Sequence, residues 1–267
     1  VLQRNAAALQ RIEQQYGVPR TVLVAIYGIE SDYGRRAGSV PVLDAALSLA
    51  CLRPCALPEG RCLSRERAYA ATRLIRDGHV SPASFTGSWA AAFGLTQLVP
   101  DTFEELAVDF DGDGRKDVIG SEPDALASTA NHLGRRGRWV RDLPPLIEVT
   151  VPAQAAERYA TRGETVRLPD ARRPLSQWLD EGWTILDTQS RVPADTIVYP
   201  FLPVGLPGPA FLATANADAI YRYNQSLRYV TKVALLARKL SGEGDFRTPW
   251  PTDDPGLSRA QIRVLQQ

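Results

Sequence analysis

Residues 22–34, VLVAIYGIESDYG, constrain this chain more than any other stretch: eight mostly apolar residues run into a single glutamate. Pro19 suits a first helical turn, where its missing N–H is not needed. Gly34 suits the position just past a helix end, where a left-handed conformation is common. The spacing predicts a helix of about four turns between them. Val22, Ile26 and Glu30 then share one face at i, i+4 and i+8, so Glu30 continues the stripe that meets the core. A carboxyl against apolar neighbours is harder to ionise. The negative end of the helix dipole opposes ionisation further. Both effects favour a protonated acid near neutral pH, as general acid catalysis requires. A glutamate at a frayed helix end, pointing into water, fits the same spacing.

The 267 residues, 44% of them hydrophobic, suffice for one large domain or a domain with an insert. No apolar run approaches the roughly 20 residues that span a bilayer. With 31 basic against 30 acidic residues, nothing demands a nucleic-acid partner. Cys51, Cys55 and Cys62 suggest one local disulfide plus a spare thiol, with the pairing open. Zinc is the alternative, with His79 the nearest histidine. A disulfide implies an oxidising compartment such as the periplasm. The chain lacks methionine, which suggests a processed or trimmed chain and leaves room for a lost export signal or lipid anchor.

Helical spacing recurs over residues 2–15, 42–52 and 65–77, with Ser64 as the N-cap of the third. Residues 87–100, GSWAAAFGLTQLVP, mix small and aromatic residues with interior glycines. That composition suits close approach of backbone to a ligand, or tight packing. Asp101 is expected to cap a helix reaching about Val108. Asp109, Asp111 and Asp113 stand at positions 1, 3 and 5 of an EF-hand-like loop, with Gly114 at position 6. Arg115 would offer its backbone carbonyl from position 7. Gly120 replaces the usual glutamate at position 12, so Glu122 or Asp124 must close a calcium site. A further helix runs from Ala125 to about Arg136.

Residues 143–215 turn proline-rich and β-branched, with strand-like alternation at 147–151 and 196–199, a strand at 211–214, and a short helix at 175–181. A single helix is expected over 217–240. The resulting divisions are a helical core with the acidic loop (1–142), a small mixed subdomain (143–215), a helix returning to the core (216–242), a linker (243–256) and the start of a further module (257–267). The fold class expected is α+β, mainly α.

Five stretches carry a resemblance: 28–34 (GIESDYG), 87–100, 107–114 (AVDFDGDG), 128–132 (STANH) and 222–226 (RYNQS). In this order they resemble the lytic murein transglycosylases of the membrane-bound B type, family 3 of these enzymes. The resemblance implies a lysozyme-like helical catalytic core with a small β-containing insert. It implies non-hydrolytic cleavage of the β-1,4 bond between N-acetylmuramic acid and N-acetylglucosamine in peptidoglycan, leaving a 1,6-anhydromuramoyl end. Glu30 matches the single catalytic acid and base. Ser88, Gln97, Asn131, His132, Tyr223 and Tyr229 match the substrate cleft, His132 standing where the family usually has tyrosine. Asp109, Asp111, Asp113, Arg115 and Asp124 match the calcium loop. Arg53 or Arg61 would stand in for the family's paired cleft arginines, and residues 257–267 for the start of a peptidoglycan-binding module. The implied setting is the periplasm, with an anchor to the outer membrane, glycan strands as partner and penicillin-binding proteins as further partners. Two other readings remain: a goose-lysozyme-like hydrolase, and a peptidoglycan-binding scaffold without catalysis. A calcium sensor is disfavoured by the lack of a second EF-hand.

Overall fold

The computed structural model describes residues 1–53, 55, 62–159, 165–186, 191–251 and 263–264. Arg61, most of the loop between the cysteines and most of the module start at 257–267 lie outside the described residues. The chain divides into two compact units. The first joins Val1–Pro145 to Ala215–Asp245. The second joins Leu146–Thr214 to the described residues from Phe246 onward.

The first unit is helical: α1 (Ala6–Tyr16), α2 (Arg20–Ser31), α3 (Val42–Leu52), α4 (Leu63–Arg76), α5 (Pro100–Leu106) and α6 (Glu122–Arg135). A two-stranded antiparallel ladder pairs β1 (Val40–Pro41) with β2 (Thr86–Gly87). Helix α2 is apolar nearly all round and is the central element: Val22, Leu23, Val24, Ala25, Ile26 and Tyr27 are all buried. A helix with so little polar face must be surrounded. Accordingly α1, α6 and a later helix, α10 (Leu227–Ser241), pack against it.

Several ends differ from the expectation. Helix α2 stops at Ser31, and Asp32 rather than Gly34 forms its left-handed cap, with φ 50°. Helix α4 starts at Leu63 with Cys62 as its N-cap, so Ser64 lies inside the helix. Helix α5 uses Pro100 in its first turn, after Val99, which displaces Asp101 from the cap. Cys55 and Cys62 form a disulfide and Cys51 is free and exposed, which leaves no cysteine set for zinc.

The second unit contains β3 (Leu146–Thr150), α7 (Ala153–Ala156), β4 (Val166–Arg167), β5 (Arg173–Pro174), α8 (Leu175–Asp180), β6 (Thr184–Ile185), β7 (Ile197–Leu202) and β8 (Ala210–Ala213). Its antiparallel sheet has the order β4-β7-β8-β3-β6, with β5 also on β7. Trp178, Trp183, Val198 and Leu212 lie in its core.

The chain then returns to the first unit as α9 (Ala215–Tyr223) and α10 (Leu227–Ser241). The single helix expected over 217–240 is therefore two. Ser226 caps the second, its Oγ accepting from the Tyr229 amide at 3.3 Å. Among the described residues no helix is long and apolar enough to cross a membrane.

The start of the 243–256 stretch is not a free linker. Phe246 is buried and its ring meets Phe211 at 4.6 Å. The carboxyl of Glu148, 2% exposed on β3, accepts from the backbone amides of Arg247 (2.8 Å) and Thr248 (2.7 Å). Two part-buried charge-assisted bonds are a large local contribution. Replacing Glu148 with alanine is expected to destabilise the second unit by about 3 kcal/mol. Hydrogen exchange should show the Arg247 and Thr248 amides losing their protection, and urea unfolding should show the loss in stability.

Candidate active site

Glu30 is the penultimate residue of α2, half-buried at the helix end. That end is tied down. Ser31, 1% exposed, donates its hydroxyl to the Leu95 carbonyl at 2.6 Å and accepts from the Gly34 amide at 3.0 Å. Asp32, Tyr33 and Gly34 all take positive φ, which turns the chain sharply away. Tyr33 folds back so closely that a Cβ on Gly28 would lie 2.7 Å from its ring, and it meets Tyr27 edge-on at 5.6 Å. Tyr27 in turn donates to Glu122 at 3.0 Å. Arg4 and Asn5 also bind that carboxylate, and the Arg4 bond does most to hold it near pKa 2. Burial, then Glu122, pushes the Tyr27 hydroxyl up to about 12.

The elbow between α9 and α10 brings Asn224 and Tyr229 to the Glu30 carboxyl. Burial raises the Glu30 pKa from 4.5 to about 7, while Tyr229 and Asn224 act in the opposite direction by stabilising the anion. The Tyr229 hydroxyl is buried and faces Glu30 without a close hydrogen-bond partner among the described residues; catalytic hydrogen bonds often tighten only once substrate is bound. The Tyr229 ring stacks parallel to Tyr223, with centroids 6.4 Å apart. Tyr223 donates to the Thr96 carbonyl at 2.6 Å. Burial, then the Glu30 charge, pushes both phenols well above their usual range.

His132, 6% exposed, lies against Tyr223 at 4.7 Å. Burial, then Arg136, lowers its pKa to about 4, so it is neutral near pH 7. It is a packing partner of the tyrosine rather than an exposed sugar contact. Asn131 is also corrected: it is 8% exposed, and its amide donates to the Leu106 carbonyl at 2.8 Å. Gln97 is half-buried with φ 54°, and its amide nitrogen donates to the Ala37 and Gly94 carbonyls, both at 2.9 Å. It braces the 94–97 turn against the segment after α2. Ser88 is half-buried and its Oγ accepts from the Ala92 amide at 3.2 Å.

The reading from sequence missed Asn224 as a site residue and Ser31 and Thr96 as supports. Asn224 lay inside the quoted stretch 222–226, and Ser31 directly follows Glu30. Only three-dimensional packing gives them a role.

In the acidic loop, Asp109, Asp111 and Asp124 bring one carboxylate oxygen each within 4.8 Å of one another. Asp113 is outside this trio, its carboxylate accepting from the Arg115 amide at 2.8 Å. Asp124 is fully buried at the start of α6 and organises the loop by accepting from the amides of Phe110 (2.8 Å), Asp111 (3.2 Å) and Asp117 (2.8 Å). Burial is the main cause raising its pKa. Gly114 takes φ 89°, as the turn at position 6 requires. Hard oxygen donors in this arrangement suit a cation such as calcium.

Residues 1–238 match the family described as "Transglycosylase SLT domain". Membrane-bound lytic murein transglycosylase B of Escherichia coli (strain K12) is 34% identical over 243 residues, 88% of this chain. The chain spans 60% of that relative's length. SltB3 from Pseudomonas aeruginosa, crystallised with NAG-anhNAM-pentapeptide, superposes with a TM-score of 0.82 at 36% identity, over 99% of this chain and 68% of that one. The Escherichia coli lytic transglycosylase Slt35 in complex with calcium gives a TM-score of 0.72 at 27% identity, over 91% of this chain and 72% of that one. The fold is therefore the lysozyme-like one of these enzymes, as the sequence led us to expect.

The Glu30 shift has a consequence for stability. The unfolded chain loses this proton near 4.5, and the folded chain near 7. Between those values the folded state holds a proton the unfolded state has released, so rising pH favours unfolding. Glu30→Gln removes the penalty. Its thermal midpoint should exceed that of the parent at pH 8 and match it more closely at pH 5. An equal difference at both pH values would contradict the shift.

Proposed function

We propose that this chain, which belongs to the transglycosylase SLT domain family, cleaves the bond between N-acetylmuramic acid and N-acetylglucosamine in peptidoglycan and leaves a 1,6-anhydromuramoyl end. The observation that carries this is the Glu30 carboxyl, its pKa raised to about 7, held at a pinned helix end beside Tyr229 and Asn224. The relative SltB3 binds the anhydro compound, which supports the choice of product.

A two-carboxylate glycosidase needs a second acid about 5–9.5 Å from the first. The nearest carboxylate in sequence, Asp32, lies beyond the helix end and pairs with Arg35 at 3.8 Å. One carboxyl serving twice fits better. Protonated Glu30 gives its proton to the glycosidic oxygen as the C1–O bond breaks. The 2-acetamido group of the muramoyl sugar stabilises the cationic C1. Ionised Glu30 then takes the proton from O6 of the same sugar as O6 bonds to C1. The product gains no water and Glu30 regains its proton. Attack within one sugar competes with water because effective molarities of about 10⁵ M or more are accessible to aligned groups. Tyr229 and Asn224 stabilise the anionic middle state, and the Tyr223–Thr96 bond holds the ring behind Tyr229.

Calcium belongs to the same proposal. Asp109, Asp111 and Asp124 would hold it, with Asp113 and the Arg115 carbonyl as further candidates, and it would brace the loop before α6. The Cys55–Cys62 disulfide supports an oxidising location, which we take to be the periplasm.

Mass spectrometry of muropeptides from digested sacculi tests the reaction. Anhydromuramoyl products are expected, falling about 10²–10⁴-fold in Glu30→Gln. The rate should decline above about pH 7, where Glu30 loses the proton it must donate. Products one water heavier would mean a hydrolase, and binding without any product would mean a scaffold. Calcium should raise the thermal midpoint: saturation at a hundred times Kd adds about 2.7 kcal/mol, and Asp109→Asn should blunt the effect. No calcium-dependent shift would contradict the metal assignment.

A further inference from the structure

Trp89 is 69% exposed, whereas Trp139, Trp178, Trp183 and Trp250 are buried or half-buried. Solvent exposure forfeits the stabilisation that a large aromatic side chain gains from burial. The backbone nevertheless holds Trp89 at the tip of a closely fixed turn. The Ser88 amide donates to the Ala92 carbonyl at 2.8 Å, and the Ala91 amide to the Ser88 carbonyl at 3.0 Å. Ala91 takes φ 63°, a left-handed conformation unfavourable for alanine, although it is wholly buried. Gly87 at the base approaches so closely that a Cβ there would lie 2.0 Å from the Ala92 carbonyl. Phe93 roots the turn in the core, meeting Phe85 at 4.9 Å and Phe103 at 5.6 Å. The surroundings thus over-determine a turn whose outward product is one exposed indole.

The same segment is joined to the helix end that carries Glu30. Leu95 accepts from Ser31, Gln97 donates to Ala37, and Gly87 pairs with Val40. Val40, itself 37% exposed, adds an aliphatic edge near the base of the turn. A pyranose ring has an apolar C–H face that packs on an aromatic plane, and the fixed turn lowers the ordering cost of that contact.

We propose that Trp89 is a sugar-binding platform, stacking on an N-acetylated hexopyranose of the glycan strand away from the bond that Glu30 cleaves. This rests on the glycan-cleaving function proposed above. Trp89 touches substrate but no reacting atom, so it supplies affinity for longer strands rather than chemistry.

The test is calorimetric titration of chitohexaose into Glu30→Gln, which cannot turn the ligand over, and into the same protein carrying Trp89→Ala or Trp89→Phe. Trp89→Ala should weaken binding about tenfold and Trp89→Phe about threefold or less. Chitobiose, too short to span both places, should lose little. In otherwise unaltered protein, Trp89→Ala should raise KM on long strands with kcat nearly kept and the thermal midpoint unchanged. Equal chitohexaose affinity with and without the indole would overturn the platform. So would a complete absence of chitohexaose binding. If sacculi still yield anhydromuramoyl products in either case, the reaction assignment stands and only the role of Trp89 falls.

Discussion

Much of this molecule depends on one unfavourable arrangement: a carboxyl group partly withdrawn from water at the negative end of a buried helix. Ionising Glu30 there costs free energy, and the protein supplies only partial relief through Tyr229 and Asn224. The compromise leaves a proton that is held near neutral pH but can be released. A carboxylate fully satisfied by donors, such as Glu122 near pKa 2, could not act as an acid there.

Holding a costly group in place requires support from several directions. Helix α2 is apolar enough to be gripped on nearly all sides. Its end is fixed by Ser31 to Leu95, and its middle by Tyr27 to Glu122. The elbow at Asn224–Ser226 is the second requirement, because a continuous helix would not deliver Asn224 and Tyr229 in the same way. Ser226 makes the elbow by starting a new helix. The parallel tyrosines and buried His132 then form a packed aromatic support beside the acid.

How far the sequence revealed this follows from the kind of signal each part carries. The 3.6-residue period placed Glu30 and reproduced α3 at Val42–Leu52. Periodicity also misled, since apolar spacing on both sides of Asn224–Ser226 concealed the break between α9 and α10. Gly- and Pro-rich composition suggested a linker at 243–256, but Glu148 fixes its beginning through two backbone amides that side-chain identity could not reveal. Motif resemblance identified Gln97 and Asn131 without showing that their amides are spent on backbone carbonyls. The acidic loop was legible as alternating aspartates. Which three carboxylates converge depends on where α6 delivers Asp124.

Folding itself keeps the Glu30 carboxyl protonated near neutrality. Carbon-13 detected titration of the side-chain carboxyls, with Glu30 assigned by comparison with Glu30→Gln, measures this directly. A midpoint near 7 is expected for Glu30. A midpoint near the ordinary 4.5 would instead show a carboxyl that is charged and solvated at neutral pH, unable to serve as the acid.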